Sequence, residues 1–417
     1  MRKKVLWFTN SVMPAAFRNL KLPNQATGPW MWSLLESLTH RNDLDITVAA
    51  ISPGMPDTTF SENGVSYRLI GQARRFQYWT ESTAVIGKIR QVVDDVAPDI
   101  VHIHGTELPY GMISRDKNYR RPTIVSLQGL LGPFSKKTGG SLHWIDQVRA
   151  TTLLEAVRGL GVINQAGAYS RRGRRERAIV GSCRYFMGRT AWDRAFVEAN
   201  QPRARYFHVG EILRGSFYEG AWAIENCDPF TVIFTNVSGP IKGADILLEA
   251  IAIVKRDFPQ VKLRLAGRIN DRSGYGRYLL DRIKNLGLSS NLEILGYLDE
   301  KQMAGMLLRT NLYVTASYGD NSPNSLAEAQ VMGVPCIATA VGGVLDMVDD
   351  QHSGLLVPPG DPEILAWKIK TVLQNPDLAQ TLSANAREIA QRRHNRESIV
   401  ESLMTAYRET ISGETDV

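Results

Sequence analysis

Two acids and a run of small polar residues stand in a fixed order between positions 320 and 328. The residues are DNSPNSLAE, so Asp320 and Glu328 lie eight positions apart. An apolar, β-rich run, Leu312–Ala316, precedes them, and a helical pattern over Leu326–Met332 follows. Backbone N–H groups at such a helix start suit a diphosphate, and a carboxylate in the first turn can hold a ribose diol. The segment therefore predicts a nucleotide-sugar site; the alternative is that both acids only stabilise the helix dipole.

A lysine follows a glycine-containing turn just before a second amphipathic helix, in the segment SGPIKGADILLEA at residues 238–250. When a nucleoside diphosphate leaves, negative charge builds on its β-phosphate. An ammonium group already in place stabilises that charge more in the transition state than in the ground state. Lys242 is predicted to supply the ammonium, and the alternative is an ordinary lysine at a helix start.

The two histidines of the segment HIHGTE, residues 102–107, alternate along a predicted strand and therefore share one face of it. No acid stands near them at metal-ligand spacing, and the Asp-x-Asp at positions 43–45 is predicted as a loop, so no metal site is expected. His104 and Glu107 lie at the end of this strand, and Gln128 lies at the end of the next, in the segment SLQGLLG. A lone histidine at a strand end is more often structural than chemical.

Length and composition favour a soluble protein of two domains. The 417 residues are 43% hydrophobic, enough for two cores. No apolar run reaches about 18 residues, and the apolar part of the first residues is too short for a secretory signal. The three cysteines show no CxxC spacing, so neither a disulfide framework nor a thiolate metal site is indicated, and a reducing cytoplasm fits best.

Charge is unevenly divided along the chain. Residues 1–205 carry 29 Lys and Arg against 16 Asp and Glu, a net charge of +13, whereas residues 206–417 carry 20 against 26, a net charge of −6. The first half is therefore expected to face an anionic partner: phospholipid head groups, a lipid diphosphate or nucleic acid. The densest cluster, Arg171–Arg177, is by itself more typical of a solvated helix face.

Predicted strands and helices alternate in both halves, which is the order of a parallel, doubly wound α/β sheet. The predicted strands of the first half are Lys4–Phe8, 45–52, 64–71, 99–105, 123–129 and, last, Cys183–Met187. Its predicted helices are Trp30–His40, Thr83–Val96 and 142–164. The predicted strands of the second half are Thr231–Asn236, Lys262–Ala266, Leu292–Leu295, Leu312–Ala316 and Pro335–Thr339. Its predicted helices are Ala244–Asp257, Tyr275–Leu286, Lys301–Arg309, Ser325–Met332, Pro362–Gln374, Pro376–Arg393 and Arg396–Ile411.

These patterns predict two Rossmann-like domains, residues 1–205 and 206–393. The last two helices have no strand after them. The final segment, 394–417, is therefore expected to pack back on the first domain.

Over nearly its whole length the chain resembles the GT-B-fold retaining glycosyltransferases of family 4, the glycosyl transferases group 1. The most specific part is DNSPNSLAEAQVMGVPCIA, which is similar to the family's Glu-x7-Glu motif with Asp320 in place of the first Glu. The resemblance implies two Rossmann-like domains facing a cleft, the first binding the acceptor and the second the nucleotide-sugar. It also implies that Glu328 binds ribose hydroxyls and that Asp320 lies near the transferred sugar.

The resemblance implies further site residues. Val237 stands where many relatives have an arginine, so Ser238 and Arg268 are expected to contribute hydrogen bonding or charge instead. Gln128 stands where many have a histidine; it can keep a hydrogen bond but cannot act as an acid or base. The expected catalytic residues are Asp320, Lys242, His104 and Gln128. The expected donor-binding residues are Gly28, Ser238, Lys242, Arg268, Gly296, Tyr297, Asn321, Ser322, Asn324, Ser325 and Glu328. The residues expected to bind the acceptor are Glu107, Arg189, His208 and Glu211. Arg189, His208, Glu211 and Arg214 could bind the donor sugar or an acceptor phosphate, and a buried ion network is the equal alternative for these four.

The function implied is transfer of a sugar from a nucleoside-diphosphate sugar with retention of configuration, without a metal or another cofactor. UDP, GDP and ADP donors all fit, with UDP or GDP expected. The acceptor is expected to be a saccharide or a polyprenyl-diphosphate-linked saccharide at an anionic inner membrane face, on the way to a surface polysaccharide. A GT-B nucleotide-sugar epimerase and a non-catalytic nucleotide-sugar binding partner are the alternatives. No aromatic-basic interleaving supports nucleic-acid binding.

Overall fold

The computed structural model describes residues 2–23, 28–72 and 82–413. They form two compact units. Of the described residues, those within 1–131, 172–212 and 395–417 form the first unit, and those within 132–171 and 213–394 form the second. The last four residues of the expected 394–417 element lie outside the described residues.

The first unit is built on an eight-stranded sheet in the order β3-β4-β2-β1-β5-β6-β7-β8. All of its neighbouring strands are parallel except β3 and β4, which form an antiparallel hairpin. The strands are β1 Lys3–Thr9, β2 Leu44–Pro53, β3 Thr58–Glu62, β4 Val65–Gln72, β5 Ile100–His104, β6 Thr123–Ser126, β7 Tyr185–Gly188 and β8 Arg205–His208.

The second unit has a six-stranded parallel sheet in the order β11-β10-β9-β12-β13-β14. Its strands are β9 Thr231–Thr235, β10 Lys262–Ala266, β11 Leu292–Gly296, β12 Leu312–Thr315, β13 Cys336–Thr339 and β14 Leu355–Val357. The helices of the chain are α1 Pro14–Asn19, α2 Pro29–Thr39, α3 Thr83–Val96, α4 Leu131–Phe134, α5 Trp144–Arg149, α6 Leu153–Arg158, α7 Val162–Ser182, α8 Ala191–Asn200, α9 Ser216–Glu219, α10 Ala244–Asp257, α11 Gly274–Asn285, α12 Glu300–Leu308, α13 Asn324–Met332, α14 Pro362–Gln374, α15 Pro376–Arg393 and α16 Arg396–Gly413.

Both faces of the first sheet are covered, as a parallel sheet requires. The apolar residues of α2 and of the last helix, α16, pack on one face, with Leu38 and Leu403 almost fully buried. Those of α3, α7 and α8 pack on the other face, with Ile89 and Val197 at the centre. The doubly wound arrangement predicted from the sequence is confirmed, and so is the return of the final helix to the first unit.

Several features differ from the sequence-based expectation. The predicted helical stretch 142–164 is divided between α5, α6 and the start of α7, and strand β14 was not predicted. The strand near residue 185 is not the last of its sheet, because β8 extends the sheet by one more parallel strand. The hairpin strand β3 was not predicted. Residues 132–171 lie in the second unit rather than in a first domain of residues 1–205, because three of their apolar residues are buried in the core of the second unit: Leu142, Ala150 and Val162.

None of the helices within the described ranges is long and apolar enough to span a bilayer.

Candidate functional site

The loops that carry the predicted site residues of the second unit follow neighbouring strands and lie at one edge of its sheet. Lys242 follows β9, Arg268 follows β10, Gly296 ends β11 and Asp320 follows β12. The carboxyl ends of parallel strands form the ligand-binding edge of open α/β sheets. The predicted donor-binding residues of this unit therefore share one edge of one sheet.

Backbone geometry places Lys242 at this edge. It ends a short 3-10 turn, Pro240–Lys242, and Gly243 follows with φ +68° as the residue before α10. A Cβ on Gly243 would lie 2.0 Å from the carbonyl oxygen of Ala316, so only glycine lets the two loops approach this closely. The Tyr318 N–H donates to the Ile241 carbonyl at 2.8 Å and joins the same two loops.

Lys242 and Asp320, which the sequence places 78 positions apart, form an ion pair. The Nζ–Oδ2 distance is 2.7 Å, and both side chains are largely but not fully buried. The Ser317 hydroxyl donates to the same carboxylate oxygen at 3.2 Å, and Thr339 Oγ1 donates to the Ser317 carbonyl at 2.6 Å. The two predicted catalytic groups of this unit are thus held together by contacts from the loops after β9 and β12 and from the end of β13.

Some side chains of the polar turn between Asp320 and Glu328 are buried or hydrogen-bonded within the protein. Asn321 is buried, and Ser325 Oγ accepts a hydrogen bond of 2.8 Å from the Tyr313 hydroxyl. Ser322 is half-buried. The Oδ1 atom of Asn324 is buried and accepts no hydrogen bond from the residues that the structure describes. Buried amide oxygens are normally paired, so Asn324 is the member of this turn whose geometry favours a ligand or water partner.

Glu328 makes a bidentate ion pair with Arg214. Arg214 Nε donates to Oε1 at 2.9 Å and Nη2 donates to Oε2 at 2.8 Å, while the guanidinium carbon lies 4.6 Å from the centre of the Phe217 ring. Burial raises the pKa of the Glu328 carboxyl, and the hydrogen bonds from Arg214 oppose that rise. Two parallel N–H···O bonds fix the orientation of the carboxylate as well as its charge. Arg214 is therefore the residue that positions Glu328.

Three other predicted donor residues lie at this edge with their side chains open to solvent. Ser238 is exposed, and its hydroxyl donates to Asn236 Oδ1 at 2.6 Å. Arg268 is exposed after β10. Tyr297, next to Gly296, has 91% of its surface exposed, so it is not a packing residue in this structure.

A buried acid that the sequence reasoning did not single out lies beside this site. Asp245, in the first turn of α10, accepts hydrogen bonds from the Tyr275 hydroxyl at 3.2 Å and from the Ser141 hydroxyl at 3.4 Å. Burial raises the pKa of this carboxyl. Its signal in the sequence is an acid three positions after Lys242 inside an otherwise apolar helix pattern. These hydrogen bonds tie the start of α10, which follows Lys242, to Tyr275 and Ser141. Asp245 is therefore a structural residue rather than a donor ligand.

His102 and His104 share a face of β5 in the first unit, as the alternation predicts. Their rings stack with centres 3.7 Å apart. His102 lies in a hydrogen-bonded chain with Ser126 Oγ at 2.6 Å and the Tyr407 hydroxyl at 2.7 Å, so its role is structural. His104 is almost fully buried, neither ring nitrogen has a partner among the described residues, and burial lowers its pKa to about 3. The His104 imidazole is therefore neutral near pH 7 and cannot serve as a general acid there.

The other predicted residues of the first unit lie at the strand ends and helix start. Glu107 accepts a hydrogen bond from Asn10, and burial raises the pKa of its carboxyl. Gln128 is half-buried after β6. Gly28 is the residue before α2, with φ +76°.

Arg189 and Glu211 form a buried ion pair in the first unit. The Nη1–Oε1 distance is 2.6 Å, and their side chains are 11% and 4% exposed. Together with Trp30 and His104 they line a small cavity. The geometry is that of the ion network given as the alternative to ligand binding. His208, in contrast, is exposed at the end of β8. Acceptor binding by this group stays a prediction.

Part of the second unit matches a known family model. Residues 223–389, within the second unit, match the family model of the glycosyl transferases group 1. The D-inositol 3-phosphate glycosyltransferase of Saccharomonospora viridis is 31% identical over 190 residues, 44% of each chain, and that of Geodermatophilus obscurus is 33% identical over 185 residues, 43% of this chain and 40% of the relative. The chain thus spans less than half the length of these curated relatives.

Solved structures are similar over the whole chain. Sucrose-phosphate synthase from Thermosynechococcus elongatus has a TM-score of 0.73 at 18% identity and covers 99% of this chain and 100% of its own. The Anabaena protein HepE in complex with UDP and glucose has a TM-score of 0.69 at 16% identity, over 98% of this chain and 100% of its own. The chain has the GT-B fold, and its residues 223–389 match the family model of the glycosyl transferases group 1.

Proposed function

We propose that the protein is a retaining glycosyltransferase that moves a hexosyl group from a nucleoside-diphosphate sugar to a saccharide or a polyprenyl-diphosphate-linked saccharide, in the synthesis of a surface polysaccharide. The observation that carries the proposal is the pair of fixed charge contacts at one sheet edge of the second unit. Lys242 is held by Asp320, and Glu328 is held by Arg214. A cation for the diphosphate and an acid for the ribose therefore stand ready in one unit.

The contacts favour a mechanism without a covalent intermediate. A retaining enzyme with a carboxylate nucleophile needs that carboxylate free to attack the sugar. Asp320 and Glu328 each already accept hydrogen bonds from a cation. The donor phosphate is therefore expected to deprotonate the attacking hydroxyl on the face from which the diphosphate departs, which retains the configuration.

Charge on the departing diphosphate is expected to be neutralised by the protein itself. Lys242 supplies an ammonium group from the loop after β9, the exposed Arg268 supplies a guanidinium from the loop after β10, and the amides before α13 supply N–H donors. Activity is therefore expected to survive removal of divalent cations. UDP and GDP are the expected nucleotides, and UDP is tested first because the similar protein HepE was solved with UDP-glucose.

The test combines donor binding with transfer. A thermal-shift screen of nucleoside diphosphates and their sugars identifies the donor, and transfer to short saccharides or polyprenyl-diphosphate saccharides is then followed in the presence of EDTA. Lys242→Ala is expected to lose about a hundredfold to a thousandfold in kcat. Lys255→Ala, a change at the opposite end of α10, is the matched control and should keep wild-type turnover. A product with inverted anomeric configuration by NMR would contradict the proposed mechanism.

The same assay separates the two alternatives. A nucleotide-sugar epimerase would change the donor sugar without any acceptor, which NMR of the donor detects. A non-catalytic binding partner would show a thermal shift with a nucleotide-sugar and no turnover in any variant.

A further inference from the structure

Exposed apolar side chains are concentrated in one short stretch of the second unit. Among the described residues, fourteen large hydrophobic side chains are exposed, and eight of them lie between residues 144 and 163. Their exposed fractions run from 40% at Ile145 to 83% at Leu153. The eight are Trp144, Ile145, Val148, Leu153, Leu154, Val157, Leu160 and Ile163. Scattered exposed apolar residues are ordinary, but a concentration of this kind marks an interaction surface.

A repeated hexapeptide produces this surface. Helix α5 reads WIDQVR and α6 reads LLEAVR, nine residues later. In both, two large apolar residues are followed by an acid, a valine and an arginine. Residues 1, 2 and 5 of each short helix fall on one side of it, and in both helices these apolar residues point to solvent.

The segment is fastened to the second unit by other residues. Leu142 before α5, Ala150 between the helices and Val162 after α6 are buried in the core. Glu155 accepts hydrogen bonds from the Thr152 N–H at 2.8 Å and from the Gly274 N–H at 3.0 Å. The backbone of this segment is therefore held in place by contacts with the second unit, while its other apolar side chains point to solvent.

Positive charge accompanies the apolar surface. Residues 132–171 carry five Lys and Arg against two Asp and Glu, a net charge of +3. Glu155 is committed to the backbone N–H groups of the unit, and those bonds lower the pKa of its carboxyl against the effect of burial. Arg149 and Arg158 are exposed at the ends of α5 and α6, and Lys136 is exposed before them. Arg149 also lies 3.4 Å from Asp146 of its own helix, an exposed ion pair that contributes little and leaves the guanidinium open to solvent. An apolar face that carries a tryptophan and is edged with arginines is the composition of a helix that lies in a membrane interface.

We infer that residues 144–163 are a docking surface for an anionic lipid bilayer, with Trp144, Leu153, Val157 and Leu160 entering the acyl boundary and Arg149 and Arg158 meeting lipid phosphates. The biological purpose of this surface rests on the proposed function, because a polyprenyl-linked acceptor lies in a bilayer. Vesicle binding itself needs neither donor nor acceptor, so the two proposals can fail separately.

Charge favours a bilayer over a second copy of the chain. In a twofold dimer the same patch faces itself, so the arginines of one copy would meet the arginines of the other. Like charges brought together at an apolar interface oppose association. Anionic lipid head groups supply the complementary charge instead.

The experiment is flotation of the full-length protein with two kinds of vesicle, phosphatidylcholine alone and phosphatidylcholine mixed with phosphatidylglycerol. Wild type is expected to bind the mixed vesicles and to lose binding as salt is raised. The variant Leu153→Ser/Val157→Ser/Leu160→Ser is expected to bind at least about tenfold more weakly, since each buried methylene contributes roughly a fourfold factor. Arg149→Gln/Arg158→Gln is expected to lose about fivefold per charge, and on the mixed vesicles only.

The matched control is Leu280→Ser/Trp367→Ser, which removes two exposed apolar side chains elsewhere in the second unit and should bind as wild type does. Circular dichroism checks that each variant is folded. Equal, negligible binding of wild type to both vesicles overturns the inference, and so does full binding by the triple serine variant. A wild type that sediments as a dimer, with a monomeric triple serine variant, also overturns it, because a second copy then covers the surface.

Discussion

At the scale of single residues, the three predicted charged ligand groups Lys242, Asp320 and Glu328 of the second unit are each held by a protein partner of opposite charge. Lys242 is held by Asp320 and Glu328 by Arg214. The Asp320–Lys242 contact joins residues that the sequence presented as separate ligands of the sugar and the phosphate. A diphosphate that binds Lys242 must compete with Asp320, and a ribose that binds Glu328 meets a carboxylate whose direction Arg214 has fixed.

The Arg214–Glu328 pair should be strongly coupled in stability. Removal of one partner leaves a largely buried charge unpaired, so Arg214→Ala and Glu328→Ala are each expected to lower the free energy of unfolding by about 3 kcal/mol. The double variant should cost less than the sum, because no charge is then left alone. Urea unfolding measures all three. Additive effects would show that the two side chains do not depend on each other.

Gly243 should be needed both for stability and for donor binding. A methyl group there meets the Ala316 carbonyl oxygen at 2.0 Å, and φ is +68°, so Gly243→Ala must shift the loop that carries Lys242. A loss of about 2 kcal/mol is expected from the strained backbone and the clash together. Gly239→Ala is the control, since nothing lies within 4 Å of a Cβ at that position. Urea unfolding and nucleotide titration should separate the two variants, and equal effects would contradict the role given to Gly243.

The buried histidines of the first unit should make the protein acid-sensitive. The folded-state pKa of His104 is about 3 against an ordinary value of 6.5, so from pH 6.5 downward the unfolded chain binds a proton there that the folded chain does not. Stability that is present above pH 6.5 is therefore lost as the pH falls, at up to about 1.4 kcal/mol per pH unit. His104→Leu should reduce that slope between pH 6 and pH 4.5 in urea unfolding. An unchanged slope would show that His104 is protonated in the folded state.

At the scale of elements, the sequence predicted what hydrophobic periodicity controls. The helix Pro376–Arg393 has the bounds that the pattern predicted, and the parallel sheets follow from alternating strands and helices. The ion pairs could not be predicted, since residues 114 positions apart, such as Arg214 and Glu328, meet only through the fold. Residues 142–164 were predicted as helix. They belong to the second unit because Leu142, Ala150 and Val162 are buried in its core, and hydrophobic periodicity does not show in which core a residue is buried.

The last helix should be an integral part of the first unit. The Tyr407 hydroxyl, in α16, accepts a hydrogen bond of 2.8 Å from Trp7 Nε1 and lies 2.7 Å from His102 Nδ1, all in a buried setting. Tyr407→Phe leaves both partners unsatisfied and should cost about 2–4 kcal/mol in the free energy of unfolding. Tyr67→Phe, a buried tyrosine of β4 that stacks on Phe60, is the control and should stay within about 0.5 kcal/mol of wild type. A negligible effect at Tyr407 would mean that α16 contributes little to this unit.

At the scale of the whole molecule, the excess positive charge and the proposed nucleotide-binding residues are separated along the chain. The basic excess lies in residues 1–205, and the paired ligand groups Lys242, Asp320 and Glu328 all lie in residues 213–394. Residues 132–171 are part of the basic first half of the sequence but belong to the second unit in the fold. The proposed lipid-docking surface and the proposed nucleotide site thus both lie in the second unit, in different segments.

Hydrogen exchange with and without UDP should locate the nucleotide within the molecule. Bound diphosphate would accept hydrogen bonds from amides after β9 and β12, so slower exchange is expected over residues 236–243 and 316–328 of the second unit. At a UDP concentration of about a hundred times Kd, binding should stabilise the unit by about 2.7 kcal/mol, visible as a rise in its unfolding midpoint. Lys242→Ala should lose the slower exchange at both loops, whereas Lys255→Ala should keep it. Slower exchange confined to the first unit would place the nucleotide elsewhere and would contradict the site assigned to Lys242 and Glu328.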